Sequence, residues 1–476
     1  MAGKYEAPRG HRRRRRRRKN SALKILVIFA LLLALAIGGM LLLLDKLPNP
    51  AGPKETKPSD PFETTAAPTE TTVPPTTEPE VIHVTSQATI AATGDLLMHL
   101  PVVNAHAQGD GTYNFDRAFQ YLKAYSEAAD YAIANLETTL AGTNNGYAYS
   151  GYPCFNCPDS IVDGAIEAGF DMLLTANNHT YDTRHVGMMR TLEIIADRGI
   201  LSLGTTATAE EPKYVVVDIN GINIGMVCYT YETPDDNPGR PSLNTIPVTM
   251  EDAACLNSFD YAQLDKFYTE LEGYIEAMEA EGAEGLMLFI HWGEEYMLTP
   301  TEKQQAIAQK VCDLGFDVIV GGHPHVVQPM DLLTSTVDPD QKTVCIYSVG
   351  NALSNQSRNT ISRTPQGHCE DGMLFSVTFS KYSDGTVVLE GTDVLPTWVN
   401  WMEAHNKYNI LPLDMDTVDE WQTLYNIGDN AYATAKASYD RTMALVGEGL
   451  AECQAYLEQA KDEREMYYYN LAWGIE

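Results

Sequence analysis

Basic residues are scarce in this chain beyond its first two dozen positions. Of 33 Lys and Arg, eleven lie at or before Lys24 against one acid, Glu6, which leaves 22 basic and 63 acidic residues, a net of −41, in the remainder. So acidic a surface repels nucleic acid and anionic lipid, which argues against nucleic-acid partners. A phosphate-bearing substrate would need positive charge supplied locally, as a metal ion can. Also missing are GxSxG and any P-loop, so nothing points to a serine hydrolase or a P-loop NTPase. Cysteines number eight, and Cys154-Phe155-Asn156-Cys157 is the one close pair. No second CxxC follows, which speaks against a zinc knuckle. A structural disulfide is expected instead, with Cys369 as the preferred partner. Histidine is sparse too, at 11, so its placement is informative.

One stretch lacks charge altogether. Ile25 to Leu44 is twenty uncharged residues behind "HRRRRRRRKN"; as a helix it would span about 30 Å, the thickness of a bilayer core. A cleaved signal peptide would have a shorter apolar region with a small-residue site after it, and here Ala34-Leu35-Ala36 lies inside the run. The expectation is an uncleaved single-pass anchor in the cell membrane, arginines cytoplasmic and the rest extracellular. Pro48 to Glu80 is rich in Pro, Thr and Glu with little to bury, and reads as an extended, disordered spacer. The expected division is a basic cytoplasmic tail (1–24), a transmembrane helix (25–44), a spacer (45–86), a main domain (87–400) and a helical C-terminal extension (401–476).

Past the spacer, short apolar runs alternate with helical patterns: "FDRAFQYLKAYSEA", "SIVDGAIEAGF" and "TPTEKQQAIAQKVCDLGF". Alternation of this kind reads as α/β. The third opens on Thr and Pro with Glu302 following, a helix N-terminal signature. "VVVDINGINIGMVCY" and "LFSVTFSKYSDGTVVLEG" read as hairpins that add antiparallel edges. The loops "YPCFNCPD" and "CYTYETPDDNPGRPS" are long enough to shape a pocket.

The strand ends carry the chemistry. "ATIAATGD" ends in Asp95, and "DYAIANLE" in Asn135 and Glu137. "FDMLLTANNH" ends in Asn177, Asn178 and His179, and "LMLFIHWGEE" supplies His291. "FDVIVGGHPH" ends in His323 and His325, and "VCIYSVGN" in Tyr347 and Asn351. Singly these are ordinary turn residues or surface histidines. Together they sit where open α/β sheets gather their active groups, and on extended backbone His323 and His325 (i, i+2) would aim two imidazoles at one point. Three histidines, two carboxylates and an asparagine make a mixed N/O donor set suited to Mn, Fe or Zn.

The motif order, a GD turn, N-L-E, A-N-N-H, H-W-G, G-G-H-P-H and Y-S-V-G-N over Ala88 to Val399, resembles the calcineurin-like metallophosphoesterase superfamily. More closely, it resembles the CapA family of capsule-synthesis proteins associated with poly-γ-glutamate. The resemblance implies a four-layer α/β/β/α sandwich and the use of two divalent metal ions. By it, Asp95 and His325 would hold one ion, Asn178, His291 and His323 the second, and Glu137 would bridge. His179 would be the acid that meets the leaving group, and Asn135, Asn177, Tyr347 and Asn351 would touch substrate or support the ligands. The superfamily's first motif is Asp-x-His, and here Leu97 stands in the histidine's place, with His99 two residues on. The implied role is synthesis or export of a capsule or envelope polymer. It would be filled by a metal-dependent hydrolase acting on the polymer or its precursor, or by a non-catalytic metal-binding subunit beside other synthesis and export subunits.

Overall fold

The computed structural model describes residues 79–475 apart from 145, 235–238, 365 and 405–406. The expected tail, anchor and most of the spacer lie outside the described residues. Among the described residues, no helix is long and apolar enough to cross a membrane.

The first four strands of the described residues are β1 (Val84–Leu96), β2 (Tyr131–Asn135), β3 (Met172–Leu174) and β4 (Leu201–Leu203), each parallel to the next. A second sheet follows: β5 (Tyr214–Ile219), β6 (Ile222–Tyr231), β7 (Gly285–His291), β8 (Val318–Gly322), β9 (Met330–Thr334) and β10 (Lys342–Ile346), in the order β9-β10-β8-β7-β6-β5 with Ser258–Phe259 beside β6. The chain then returns to the first sheet through β11 (Asn351–Leu353), β12 (Asp371–Tyr382), β13 (Val387–Asn400) and β14 (Asn409–Pro412). That sheet runs β14-β13-β12-β1-β2-β3-β4, with β11 beside β1. Both expected hairpins form, β5–β6 across Asn220-Gly221 and β12–β13 across Asp384-Gly385.

Strand alternation builds the layers. Along β7, Met287 and Phe289 enter the cluster shared by the two sheets, whereas Leu288 and Ile290 face outward. Along β1, Ile90 and Ala92 face the shared cluster and Ala91 the opposite side. Helices α1 (Ser160–Glu167) and α2 (Arg184–Arg198) cover that outer face with Ile161, Val162 and Ile195. Helices α3 (Leu264–Ala280) and α4 (Glu302–Leu314) cover the second sheet with Phe267, Leu271, Ile307 and Val311. Each such side chain contributes about 1.5–3 kcal/mol by leaving water. Thr301 caps α4 in a capping box with Gln304. The segment "FDRAFQYLKAYSEA" is divided into two short helices, Asp116–Phe119 and Lys123–Ser126, with Tyr121 between them packed on Tyr425 at 5.0 Å between ring centroids.

Three sequence expectations are revised. Strand β1 begins at Val84, inside the expected spacer, because Val84 already pairs with Tyr382. The sheet continues past residue 400, since β14 pairs with β13. Beyond it runs α5 (Asp429–Trp473), 45 residues long, which lies across β13 of one sheet and β9 of the other. Its Gly449 passes so close that a Cβ there would sit 1.9 Å from the Met330 carbonyl oxygen. Arg441 and Ser438 fasten it by hydrogen bonds of 2.6–2.8 Å to the buried Asp371 carboxylate. Finally, all eight cysteines are free thiols. Cys154 packs toward the cluster between the sheets, Cys157 lies in the cluster outside the first sheet, and the Cys369 sulfur accepts a hydrogen bond from Thr364 at 3.0 Å.

Candidate metal centre

The parallel strands of both sheets end on the same side, and six strand ends converge there. Asp95 is the penultimate residue of β1 and is fixed by Asn135, whose amide donates to Oδ1 at 2.7 Å. Asn135 in turn accepts from Asn177 at 3.1 Å, and the Asn177 carbonyl accepts the His179 backbone N–H at 3.1 Å. Three asparagine and aspartate side chains thus lock the loops after β1, β2 and β3 together before any ligand is considered.

Glu137 lies at the middle of the group, fully buried, and neither carboxylate oxygen has a hydrogen-bond partner. Around its Oε1 stand three imidazole Nε2 atoms: His291 at 3.4 Å, His325 at 3.9 Å and His179 at 4.0 Å. A buried carboxylate without a hydrogen bond is costly, and a cation held among these donors would satisfy it. His323 Nδ1 is also buried without a partner. Glu137, His323 and His325 each offer a ligand atom, all within 4.8 Å of one another. The residues present therefore fit a divalent ion. Gly322 leaves the space: a Cβ there would sit 3.2 Å from Asp95 Oδ1 and 3.4 Å from His291 Nδ1.

The remaining groups sort themselves around this carboxylate. His325 Nδ1 lies 3.2 Å from both Asp95 Oδ2 and Asn351 Oδ1. His291 Nε2 lies 2.9 Å from the Asn178 carbonyl, and the His291 and His323 ring centroids are 4.9 Å apart. Burial works against a charged His325, but the negative charges of Glu137 and Asp95 prevail and raise its pKa to about 9. Burial also favours a protonated Asp95, yet the His325 hydrogen bond and the neighbouring imidazoles hold it below the usual carboxylate range. Burial and the nearby His291 keep His323 well below the ordinary histidine value, the neutral form a metal ligand needs.

His323 and His325 do not reach this point on extended backbone, as the spacing suggested. Both are left-handed, φ 95° and 56°, in the turn after β8. Two such residues flanking Pro324 still bring the rings to 5.9 Å, at a backbone cost on the order of 1–3 kcal/mol each. Tyr347 does not join the site. It alternates with Ile346, so its ring falls on the helix side of the sheet and stacks on Trp292 at 6.1 Å. Leu97 is buried in the core, and the His99 ring packs edge-on against Phe155 at 5.1 Å; burial lowers its pKa to about 4.

Sequence reading missed the partners of His179. Its Nδ1 lies 2.8 Å from Asp182 Oδ2, and Asp182 also accepts from the Phe155 N–H at 2.6 Å and from Asn244 at 3.0 Å. Asp182 stands three residues after His179, a spacing that could have flagged it. Tyr231, at the end of β6, packs on His323 at 4.7 Å between centroids and lines a cleft of about 720 Å³ with Arg240, Tyr261 and Lys303. The long loop after β6 does shape that cleft.

The profile of the family described as bacterial capsule synthesis protein PGA_cap matches residues 89–356, more than half of the chain and every strand end that builds the centre. The chain belongs to the PGA_cap family. This family lies in the metallophosphoesterase-like superfamily. Similar proteins include the capsule biosynthesis protein CapA of Bacillus anthracis, 26% identical over 69% of this chain and 71% of its own length. The PGA biosynthesis protein CapA of Bacillus subtilis is 25% identical over 51% and 57%. Among solved structures, the NAD nucleotidase of Haemophilus influenzae superposes with a TM-score of 0.38 at 12% identity, over 79% of this chain and 68% of that one. Within this PGA_cap chain the centre combines a bare buried carboxylate, four inward-facing imidazoles and a His179–Asp182 pair at its rim.

Proposed function

We propose that this chain is a membrane-anchored, extracellular protein of capsule or envelope polymer synthesis or export, and that its centre is a metal-dependent hydrolase site. The observation that carries the reading is Glu137: buried, without a hydrogen bond, and within 4.0 Å of three histidine Nε2 atoms. Asp95 and His325 would hold one divalent ion, Asn178, His291 and His323 a second, and Glu137 would serve both. When bound, such ions polarise the bond under attack and make water acidic enough to act as a nucleophile near neutral pH.

The chain's own residues supply the rest. The Asp182 carboxylate, 2.8 Å from His179 Nδ1, orients the ring so that Nε2 faces the centre. His179 Nε2 then delivers a proton to the departing oxygen or nitrogen. Asn135 and Asn177 hold the three loops in register, and Asn351 holds His325 from the side away from Glu137. The Tyr231 cleft adjoining His323 is where the polymer or its precursor would lie.

The test is hydrolysis by the metal-loaded full chain of a phosphodiester, a phosphomonoester and a γ-glutamyl amide. One class should be cleaved, and His323→Ala should abolish that cleavage. A second reading is favoured by Leu97, buried where the superfamily places a ligand histidine: a non-catalytic subunit that keeps the metal for binding a partner or polymer. No hydrolysis in any class, together with loss of polymer in cells carrying His323→Ala, would decide for it.

A further inference from the structure

The last ten residues of the described chain, Met466 to Ile475, carry no charge. Most of them end α5, and six large apolar side chains there have no cover. Met466, Tyr467, Tyr469, Leu471, Trp473 and Ile475 each expose between 46% and 61% of their surface. Tyr468 alone faces inward, at 5.2 Å from Tyr382 between ring centroids. A helix end that is apolar on nearly every side is normally buried in something.

Its place in the fold indicates what covers it. Tyr382, on which Tyr468 packs, pairs with Val84, the first residue of β1. The apolar tip therefore lies at the edge where the chain enters the domain from residues 1–83. Those residues include the uncharged run Ile25–Leu44. Residues 45–83 reach at most about 130 Å when extended, so they permit contact between domain and membrane without enforcing it. The nearby guanidinium is already engaged: Arg464 is 2.7 Å from Glu390 and lies over the Tyr382 ring at 5.6 Å. Attraction to anionic lipid is thus not what this surface offers. Tyr and Trp with aliphatic neighbours are the side chains that settle at a bilayer's interface. The eight helical residues Met466–Trp473, about 12 Å, are too short to span it but long enough to enter one leaflet.

We infer that the tip of α5 docks into the outer leaflet of the membrane that holds Ile25–Leu44. Residues 466–475 would then be a second attachment that lays the domain on the bilayer, with a fixed side toward it. This rests on the anchor reading above, and the test separates the two.

Trp473 is the reporter. Trp292, Trp398 and Trp421 are fully buried and Trp401 is half-buried, so of five tryptophans Trp473 is the exposed one. The full chain is reconstituted into phosphatidylcholine vesicles with and without bromine on the acyl chains. It should float with both, and the brominated lipid should quench roughly a fifth of the emission, one tryptophan of five. Trp473→Phe should still float and lose that quenching. Failure to float would overturn the anchor and this inference together. Flotation with no bromolipid quenching, or with quenching that persists in Trp473→Phe, would overturn the docking alone. If Trp473 is instead shielded only at high protein density, and Tyr467→Ser/Leu471→Ser abolishes a dimer seen by sedimentation, the tip covers a second copy and the inference is wrong.

Discussion

Replacing Glu137 with Gln removes a negative charge and keeps the shape, and the structure predicts that its effect on stability changes sign with metal. Without an ion, the carboxylate is buried with no hydrogen bond, a penalty of several kcal/mol. His325, raised to about 9 and therefore protonated, sits 3.9 Å away and returns about 4 kcal/mol at an effective dielectric near 20. The two terms nearly cancel, with desolvation ahead. In chelator, Glu137→Gln should match or exceed the parent by about 1–3 kcal/mol, a rise of a few degrees in Tm. With metal the order reverses. An ion present at a hundred times its Kd stabilises the parent by about 2.7 kcal/mol, and if Glu137 is a ligand, as proposed, its loss should weaken affinity at least tenfold, or about 1.4 kcal/mol. The assay is thermal unfolding of the full chain, parent and variant, in chelator and in excess Mn²⁺. A variant less stable by the same amount in both conditions would refute the reasoning and make Glu137 a structural carboxylate.

His179→Asn should leave metal content and Tm unchanged while turnover of substrates with poor leaving groups falls by roughly 10²–10⁴, good leaving groups losing much less; equal losses for both would contradict its role as the acid. Arg441→Leu should cost about 3–5 kcal/mol by stranding Asp371, whereas a shift within error in denaturant midpoint would show that α5 is not held there. Burial raises the Asp317 carboxyl from 3.8 to about 6 against the Leu286 N–H that it accepts. An acid raised in the folded state contributes stability that is complete below pH 4 and is lost as pH climbs through about 6. Asp317→Asn should therefore gain about 1–3 kcal/mol on the parent between pH 4 and 7, and parallel stability curves across that range would exclude the effect.

The α/β alternation, both hairpins and the convergence of strand ends were legible because each rests on short-range pattern: period-two strands, Gly-containing turns, polar residues after apolar runs. Asp95, Glu137, Asn178, His179, His291, His323 and His325 are brought together from five strand ends, and the order of motifs pointed to all of them. Backbone conformation was less legible, since sequence spacing does not distinguish extended residues from the left-handed pair at His323 and His325. Tyr347 shows a different limit. A residue at a strand end can face either side, and a shift of one position sends its ring to the opposite core. The cysteines illustrate a third, because pairing depends on which cluster each thiol is packed into. Asp182 and Asn244 support His179 from a turn and from a loop 65 residues distant, and only the first of these lay within reach of local reading.

Metal analysis of the purified full chain, parent beside His323→Ala and His179→Asn, tests the central claim most directly. The parent should carry one to two equivalents of Mn, Fe or Zn, His179→Asn should match it, and His323→Ala should fall below half. A parent free of transition metal after growth in metal-replete medium, or a His323→Ala chain that retains the full complement, would contradict the account.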